Sequence, residues 1–325
     1  MMNDKIEYIR KDRTTQFKIE SWSGAATKIG GYIGMITELI KKPNSTPDII
    51  IGTSSGAIAS LLRVSLMVNP LMLPHIIKLA IKLSLDDIFN ISPVNKKGGL
   101  RGSSIVRLIR GKLSMGEHYQ LTKTLKKLFT EHMYNEYRRI EHRYPDLLIC
   151  STDIDSGKFI VVNAKDLSYE DIFKHILAST SIPLATQPMS IGGNLNLDAG
   201  ITFGNPGCYL IHKMIKGGYT VRAHNSFYSR PQDISGSITE KVEVLRLKDR
   251  LMFKGASKIV SRVVDLMLLQ NSKSCEWLES YQSEKQGYEL QQVFIPKILD
   301  STYDVDEDQL KELYEAGKRS LVNFK

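Results

Sequence analysis

Short apolar runs alternate along the chain with stretches whose apolar positions recur at helical spacing. Phe17-Lys18-Ile19-Glu20-Ser21 alternates apolar and polar, the period of a strand. A small-residue loop, Ser23 to Lys28, leads to a helix expected over Gly30 to Lys41, and Pro43 to Pro47 mark a turn. Ile49 to Ile51 form a second strand, and a helical pattern from Ala57 to Val68 should end by Asn69-Pro70. This β-α-β-α order implies parallel strands with helices packed on the sheet faces. Further on, residues 117–143 read as helical and highly charged. Leu147 to Asp153 and Phe159 to Val162 read as strands joined in a hairpin at Ser156-Gly157. Tyr169 to Ala178 and Tyr209 to Lys216 read as helices, and Tyr219 to Ala223, Val242 to Leu247 and Val293 to Ile298 as strands. Two more helices are expected, Leu251 to Leu269 and Asp306 to Val322. The first of them carries a basic row, Arg250, Lys254, Lys258 and Arg262, on its solvated side.

Two segments leave more than one reading open. Residues 71–83 are unusually apolar, with Lys78 and Lys82 four apart on one helix face. They fit an amphipathic helix packed on the core, or a membrane-facing or lid helix with snorkelling lysines. Asn95 to Gly102 form a basic, glycine-rich loop, either solvated or in contact with phosphates.

Composition narrows the class. With 325 residues, 42% of them hydrophobic, the chain can bury one large α/β domain, expected to span 1–325. No apolar run is long enough to cross a bilayer, and the charged start lacks the apolar core of a secretory signal, so a cytoplasmic location is expected. Cys150, Cys208 and Cys275 are widely separated without metal-ligand spacing and read as reduced packing residues. The net charge of +9 suits anionic surfaces, phospholipid headgroups or nucleic acid, without choosing between them, and charge alone equally fits a basic solvated surface; no nucleic-acid motif accompanies it, so nucleic acid is not expected as a partner. Oligomeric state is not legible. No metal or cofactor is expected.

The candidate chemistry lies at Ile51-Gly52-Thr53-Ser54-Ser55-Gly56-Ala57. An apolar strand stops at Gly52, Ser54 follows at the apex, Gly56 comes two residues later, and a helix begins. G-x-S-x-G between strand and helix needs its glycines because the chain reverses too tightly for side chains there, and it points the serine hydroxyl out of the sheet beside a helix N-terminus. A serine is a poor nucleophile without a base and oxyanion donors. His212 and His224 follow in chain order, and Asp198 stands at a tight turn.

The elbow resembles the G-T-S-[AS]-G-A of the patatin-like phospholipases. Ser23 to Gly34 is similar to that family's glycine-rich oxyanion loop, and Ala178-Ser179-Thr180-Ser181-Ile182-Pro183 to its A-S-x-x-x-P segment. Leu197-Asp198-Ala199-Gly200-Ile201 with Asn205-Pro206 resembles its D-G-G/D-G-A block, and Thr152 to Gly157 its T-D-x-x-x-G hairpin. The blocks share one order over residues 17 to about 215; the remaining part carries no matched motif. The resemblance implies a three-layer α/β/α fold with a mostly parallel central sheet. It also implies hydrolysis of the ester bonds of membrane glycerophospholipids by a Ser54–Asp198 dyad, with no histidine required and an anionic phospholipid surface as peripheral partner, or else hydrolysis of another ester or thioester. The backbone amides of Gly24, Ala25, Ala26 and Ser55 become the implied oxyanion donors, and Gly52, Gly56 and Gly200 the structural glycines. Lys28 is either an anion contact or a solvated lysine. Ala25, Ala26 and Ile29 stand where the family usually carries glycine, which implies either a narrower oxyanion hole or a weak or silent member.

Overall fold

The computed structural model describes residues 6–10, 16–25, 28–42, 45–94, 101–140, 143–229, 271, 273–295, 306–321 and 324. The expected strand at Val242 to Leu247, the expected helix at Leu251 to Leu269 with its basic row, and Asn95 to Leu100 lie outside these residues.

The frame is an eight-stranded sheet built from β1 (Gln16–Trp22), β2 (Ile49–Gly52), β3 (Asp146–Asp153), β4 (Lys158–Asn163), β5 (Met189–Ile191), β6 (Asn194–Asp198), β7 (Thr220–Ser229) and β8 (Glu289–Ile295). Its order is β5-β6-β3-β2-β1-β7-β8, with β4 paired to β3. The central pairs β3–β2, β2–β1, β1–β7 and β7–β8 are parallel, and β3–β4, β3–β6 and β5–β6 are antiparallel. The late strand β8 thus completes the sheet begun by β1.

Strand alternation feeds two cores. Phe17, Ile19, Ile49, Ile51 and Leu148 point to one face, against Leu210, Ile211 and Met214 of α9 (Gly207–Lys216). Trp22, Ile50, Leu147 and Ile149 point to the other. There they meet α1 (Ile29–Leu39), α2 (Ser55–Val68) and α8 (Tyr169–Ser179). Parallel strands covered on both faces bury both parities, so the polar Glu20 and Ser21 of β1 are buried. Glu20 is fully buried and pairs with buried Arg63 of α2 at 3.4 Å. Burial pushes the Glu20 carboxyl up, and Arg63 opposes that shift.

The apolar 71–83 stretch resolves as α3 (Leu73–Lys82), with Ile76 and Ala80 buried and Lys78 and Lys82 outside. It packs on α1 and on the last helix, Glu307–Ser320, so the core-packed reading holds. The charged 117–143 stretch is two helices, α6 (Gln120–Leu128) and α7 (Glu131–Arg139), broken where Thr130 caps the second by accepting the Met133 N–H. Short α4 (Leu85–Ile88) and α5 (Gly102–Ile109) precede them. A helix not foreseen, α10, covers 273–286, and the Glu307–Ser320 helix is then α11.

Helices α1 and α11 approach until their backbones touch. A Cβ on Gly34 would lie 2.1 Å from the Tyr314 carbonyl oxygen, and one on Gly317 would lie 1.9 Å from the Gly31 carbonyl oxygen. Backbone cannot yield as a side chain can, so Gly317→Ala is expected to lower stability by at least about 2 kcal/mol. Urea unfolding should show a lower midpoint at unchanged slope.

Candidate active site

Tight packing shapes the elbow. A Cβ on Gly52 would fall 2.3 Å from the Gly56 carbonyl oxygen, and one on Gly56 would fall 2.1 Å from that of Trp22. Only glycine lets β2, the turn and α2 come this close to β1. Between them Ser54 takes φ 57° and ψ −128°, a left-handed conformation that non-glycine residues occupy at a cost. Its amide N–H donates to the Ser179 hydroxyl at 2.9 Å, which holds the strained residue in place.

Sheet topology brings the carboxylate to the hydroxyl. The first half of β3 pairs with β2, ending at Gly52↔Ile149, and its second half pairs with β6, ending at Ser151↔Asp198. Since β4 occupies the other edge of β3, β2 and β6 follow one another along the same edge, running toward each other. Their ends meet, and residues 144 positions apart in sequence become neighbours. The Ser54 hydroxyl comes near enough to the Asp198 carboxylate to favour its charged form.

Asp198 is buried, and burial pushes its carboxyl from 3.8 up to about 6, opposed by the Ser54 hydroxyl and the Gly200 amide. The Gly200 N–H donates to Oδ1 at 2.7 Å, and the Asp198 N–H donates to the Ser181 carbonyl at 2.9 Å. The 179–181 segment therefore grips both partners, Ser54 through Ser179 and Asp198 through Ser181. Asn271 adds a brace, its Nδ2 donating to the carbonyls of Gly200 and Ile201 at 3.0 and 2.8 Å. Sequence reasoning gave Ser179 no role and missed Asn271. A side-chain amide bonding to a backbone 70 residues away leaves no local pattern.

Of the four amides expected to receive an oxyanion, two are already engaged. Gly24 N–H donates to the Gly204 carbonyl at 3.3 Å, and Ala25 N–H donates to the Ser55 hydroxyl at 2.6 Å. Ala26 lies outside the described residues. The amide of Ser55 opens α2, where helix geometry supplies no acceptor. A Cβ on Gly24 would stand 3.3 Å from the Ser54 Cβ, so the loop lies directly over the hydroxyl. Lys28 is only 6% exposed, which removes the solvated-lysine reading.

His224 and His118 take partners other than Ser54 and Asp198. His224 is fully buried within β7, its Nε2 2.8 Å from the Ser21 hydroxyl, and burial pushes it down to about 3. Buried His118 directs Nε2 at the Leu177 carbonyl at 3.0 Å and is pushed down to about 4. Both are neutral at physiological pH. The cysteines read as isolated are not all so: Cys208 and Cys275 lie with sulfurs 3.4 Å apart, both reduced.

Ser54 and Ser55 line a cleft whose other walls are mainly apolar, among them Ile29, Ile58, Leu79, Leu83, Phe89 and Leu121. A hydroxyl beside a buried carboxylate, near a helix N-terminus and lining an apolar cleft, can attack an ester whose acyl chain enters that cleft.

No curated protein sequence matches the chain. Among solved structures it is similar to VipD from Legionella pneumophila, at 14% identity and a TM-score of 0.43. That alignment covers 95% of this chain and 66% of the VipD chain. The sequence profile of the patatin-like phospholipases matches residues 21–207, more than half of the chain, and this span holds the elbow, the carboxylate and the segment that joins them. The chain belongs to the patatin-like phospholipase family.

Proposed function

We propose that the protein is a serine lipid acyl hydrolase of phospholipase A type, cleaving carboxylic esters of membrane glycerophospholipids through Ser54 and Asp198. The observation that carries this reading is the Ser54 hydroxyl, which lines an apolar cleft, lying beside the buried Asp198 carboxylate. Ser54 Oγ attacks the acyl carbonyl as its proton passes to Asp198. The oxyanion meets the Ser55 amide at the start of α2 and, once the Ser55 hydroxyl releases it, the Ala25 amide. Collapse expels the lysophospholipid alkoxide, which takes the proton from Asp198, and leaves an acyl-Ser54 ester. Water then attacks that ester with Asp198 again the base, releasing a fatty acid and restoring Ser54.

A catalytically silent lipid-binding role is favoured by one observation, the prior engagement of the Gly24 and Ala25 amides. A fluorophosphonate probe separates the two readings. The enzyme is expected to label covalently at Ser54, with labelling lost in Ser54→Ala; a folded wild type that never labels indicates the silent module. Lipid analysis of mixed liposomes treated with the labelling-competent protein then identifies the ester cleaved. Release of lysophospholipid supports the phospholipase assignment, and activity confined to neutral lipids or acyl thioesters redirects it.

A further inference from the structure

The proposed substrate lies in a membrane, and α3, the apolar helix that the sequence offered for docking, is spent on the core. Leu71, just before α3, is exposed, but a group of exposed apolar side chains lies elsewhere. In α5 and the turn after it, Val106 is exposed, Ile109 is 70% exposed and Leu113 is 62% exposed. A helix this short is not stable alone in water. It is held at the edges instead, by Ser104 Oγ donating to the Pro93 carbonyl at 3.2 Å and by Arg107 paired with Glu117 at 2.7 Å.

This surface is continuous with the mouth of the cleft. The Met115 N–H donates to the Leu184 carbonyl at 2.8 Å, and the Glu117 N–H donates to the Ile91 carbonyl at 2.8 Å. Leu184 and Ile91 are themselves exposed, and Leu184 has a φ of 63°, unusual for a residue with a Cβ. Phe89, two residues from Ile91, and Ile182 and Thr186, two residues on either side of Leu184, line the cleft, as does His118 next to Glu117. An exposed apolar rim therefore borders the opening through which a lipid acyl chain would reach Ser54.

Charge identifies what covers that rim. From residue 88 to residue 116 the chain holds no acidic residue and six basic ones, Lys96, Lys97, Arg101, Arg107, Arg110 and Lys112. Arg101, Arg110 and Lys112 are exposed. Apolar side chains ringed by cations match a layer with anionic headgroups above an acyl interior. We propose that α5 and the 110–113 turn form a membrane-insertion element that seats the cleft mouth on an anionic glycerophospholipid bilayer, with Ile109 and Leu113 entering the acyl boundary and Arg110 and Lys112 meeting lipid phosphates. The proposal rests on the phospholipase reading for its purpose, but binding can be tested without catalysis.

Ser54→Ala protein is floated with phosphatidylcholine vesicles, with and without phosphatidylglycerol. It is expected to float with the anionic vesicles and to be released by salt. Adding Ile109→Glu and Leu113→Glu is expected to lower the bound fraction at least tenfold, as is adding Arg110→Glu and Lys112→Glu instead. All four side chains are exposed, so the melting curves should stay put. With Ser54 restored, the ratio of vesicle-lipid hydrolysis to short-chain soluble ester hydrolysis should fall at least tenfold in either double variant. Binding unchanged by both double variants, or a parent that ignores anionic vesicles, overturns the proposal. So does light scattering that finds a dimer which the Ile109→Glu/Leu113→Glu variant turns into monomer, because a second copy then covers the face. If the wild type floats through this face and cleaves no ester, the docking surface stands and the catalytic reading falls.

Discussion

Asp198→Asn is expected to reduce lipid hydrolysis on the order of 10³-fold or more while making the protein harder to unfold. Asparagine can still accept from the Gly200 amide and the Ser54 hydroxyl, so the local geometry is kept, but it cannot take the proton. The gain in stability follows from the carboxyl's environment. Its folded value is about 6 against an ordinary 3.8. Folding therefore favours the protonated form, and the wild type loses stability as the pH rises from about 4 through about 6. The loss approaches roughly 3 kcal/mol above that window. Asparagine has no such loss. The variant should be the more stable protein at pH 8, with the difference closing as the pH falls to 4, measured by urea titrations across that range. The same ionisation sets the activity profile. Wild-type turnover should rise with pH through about 6, where the base becomes available, and the residual turnover of the variant should lack that step. Equal stability of the two proteins at pH 8 would place Asp198 in a wetter site than its burial indicates.

Ser54→Ala should likewise abolish turnover, by a factor on the order of 10³ or more, because it removes the hydroxyl that faces the Asp198 carboxylate. Ser54→Gly should be just as inactive yet differ from Ser54→Ala in thermal stability. At φ 57° alanine keeps the strain of serine, whereas glycine removes it, a difference of about 1 kcal/mol in favour of glycine. Calorimetry of the two inactive variants measures the strain stored at the elbow with catalysis out of the comparison. Identical melting temperatures would mean that the turn relaxes once the hydroxyl is gone.

Local patterns revealed much of the frame, and the exceptions have physical reasons. Ile49–Gly52 and Asp146–Asp153 were visible as apolar runs because central parallel strands are buried on both faces. The elbow was visible because steric crowding leaves glycine as the tolerated residue at two fixed positions. The three-residue β5 is too short to show a period, and α10 spends its buried positions on Cys275, Glu279 and Gln282, which do not read as an apolar face. Glu279 is fully buried and pushed up to about 8, beside the Tyr228 hydroxyl at 2.9 Å. No rule of hydrophobic periodicity anticipates that. For the site, block order suggested which serine and which aspartate belong together. The Ala25–Ser55 contact, the Asn271 brace and the apolar cleft lining depend on long-range packing, so the sequence is silent about them.

The shared edge of β3 acts as a ruler for the reacting pair. A one-residue slip of β6 would turn Asp198 to the opposite face of the sheet, and a two-residue slip would carry it about 6.6 Å along the strand, out of reach of Ser54. Ordinary amide pairing thus guards the spacing of the two groups, while residues that shape the cleft sit on helices and loops outside that ladder. Substrate preference can drift in this scaffold by exchange of Leu79, Leu83 or Leu121 without loosening the chemistry.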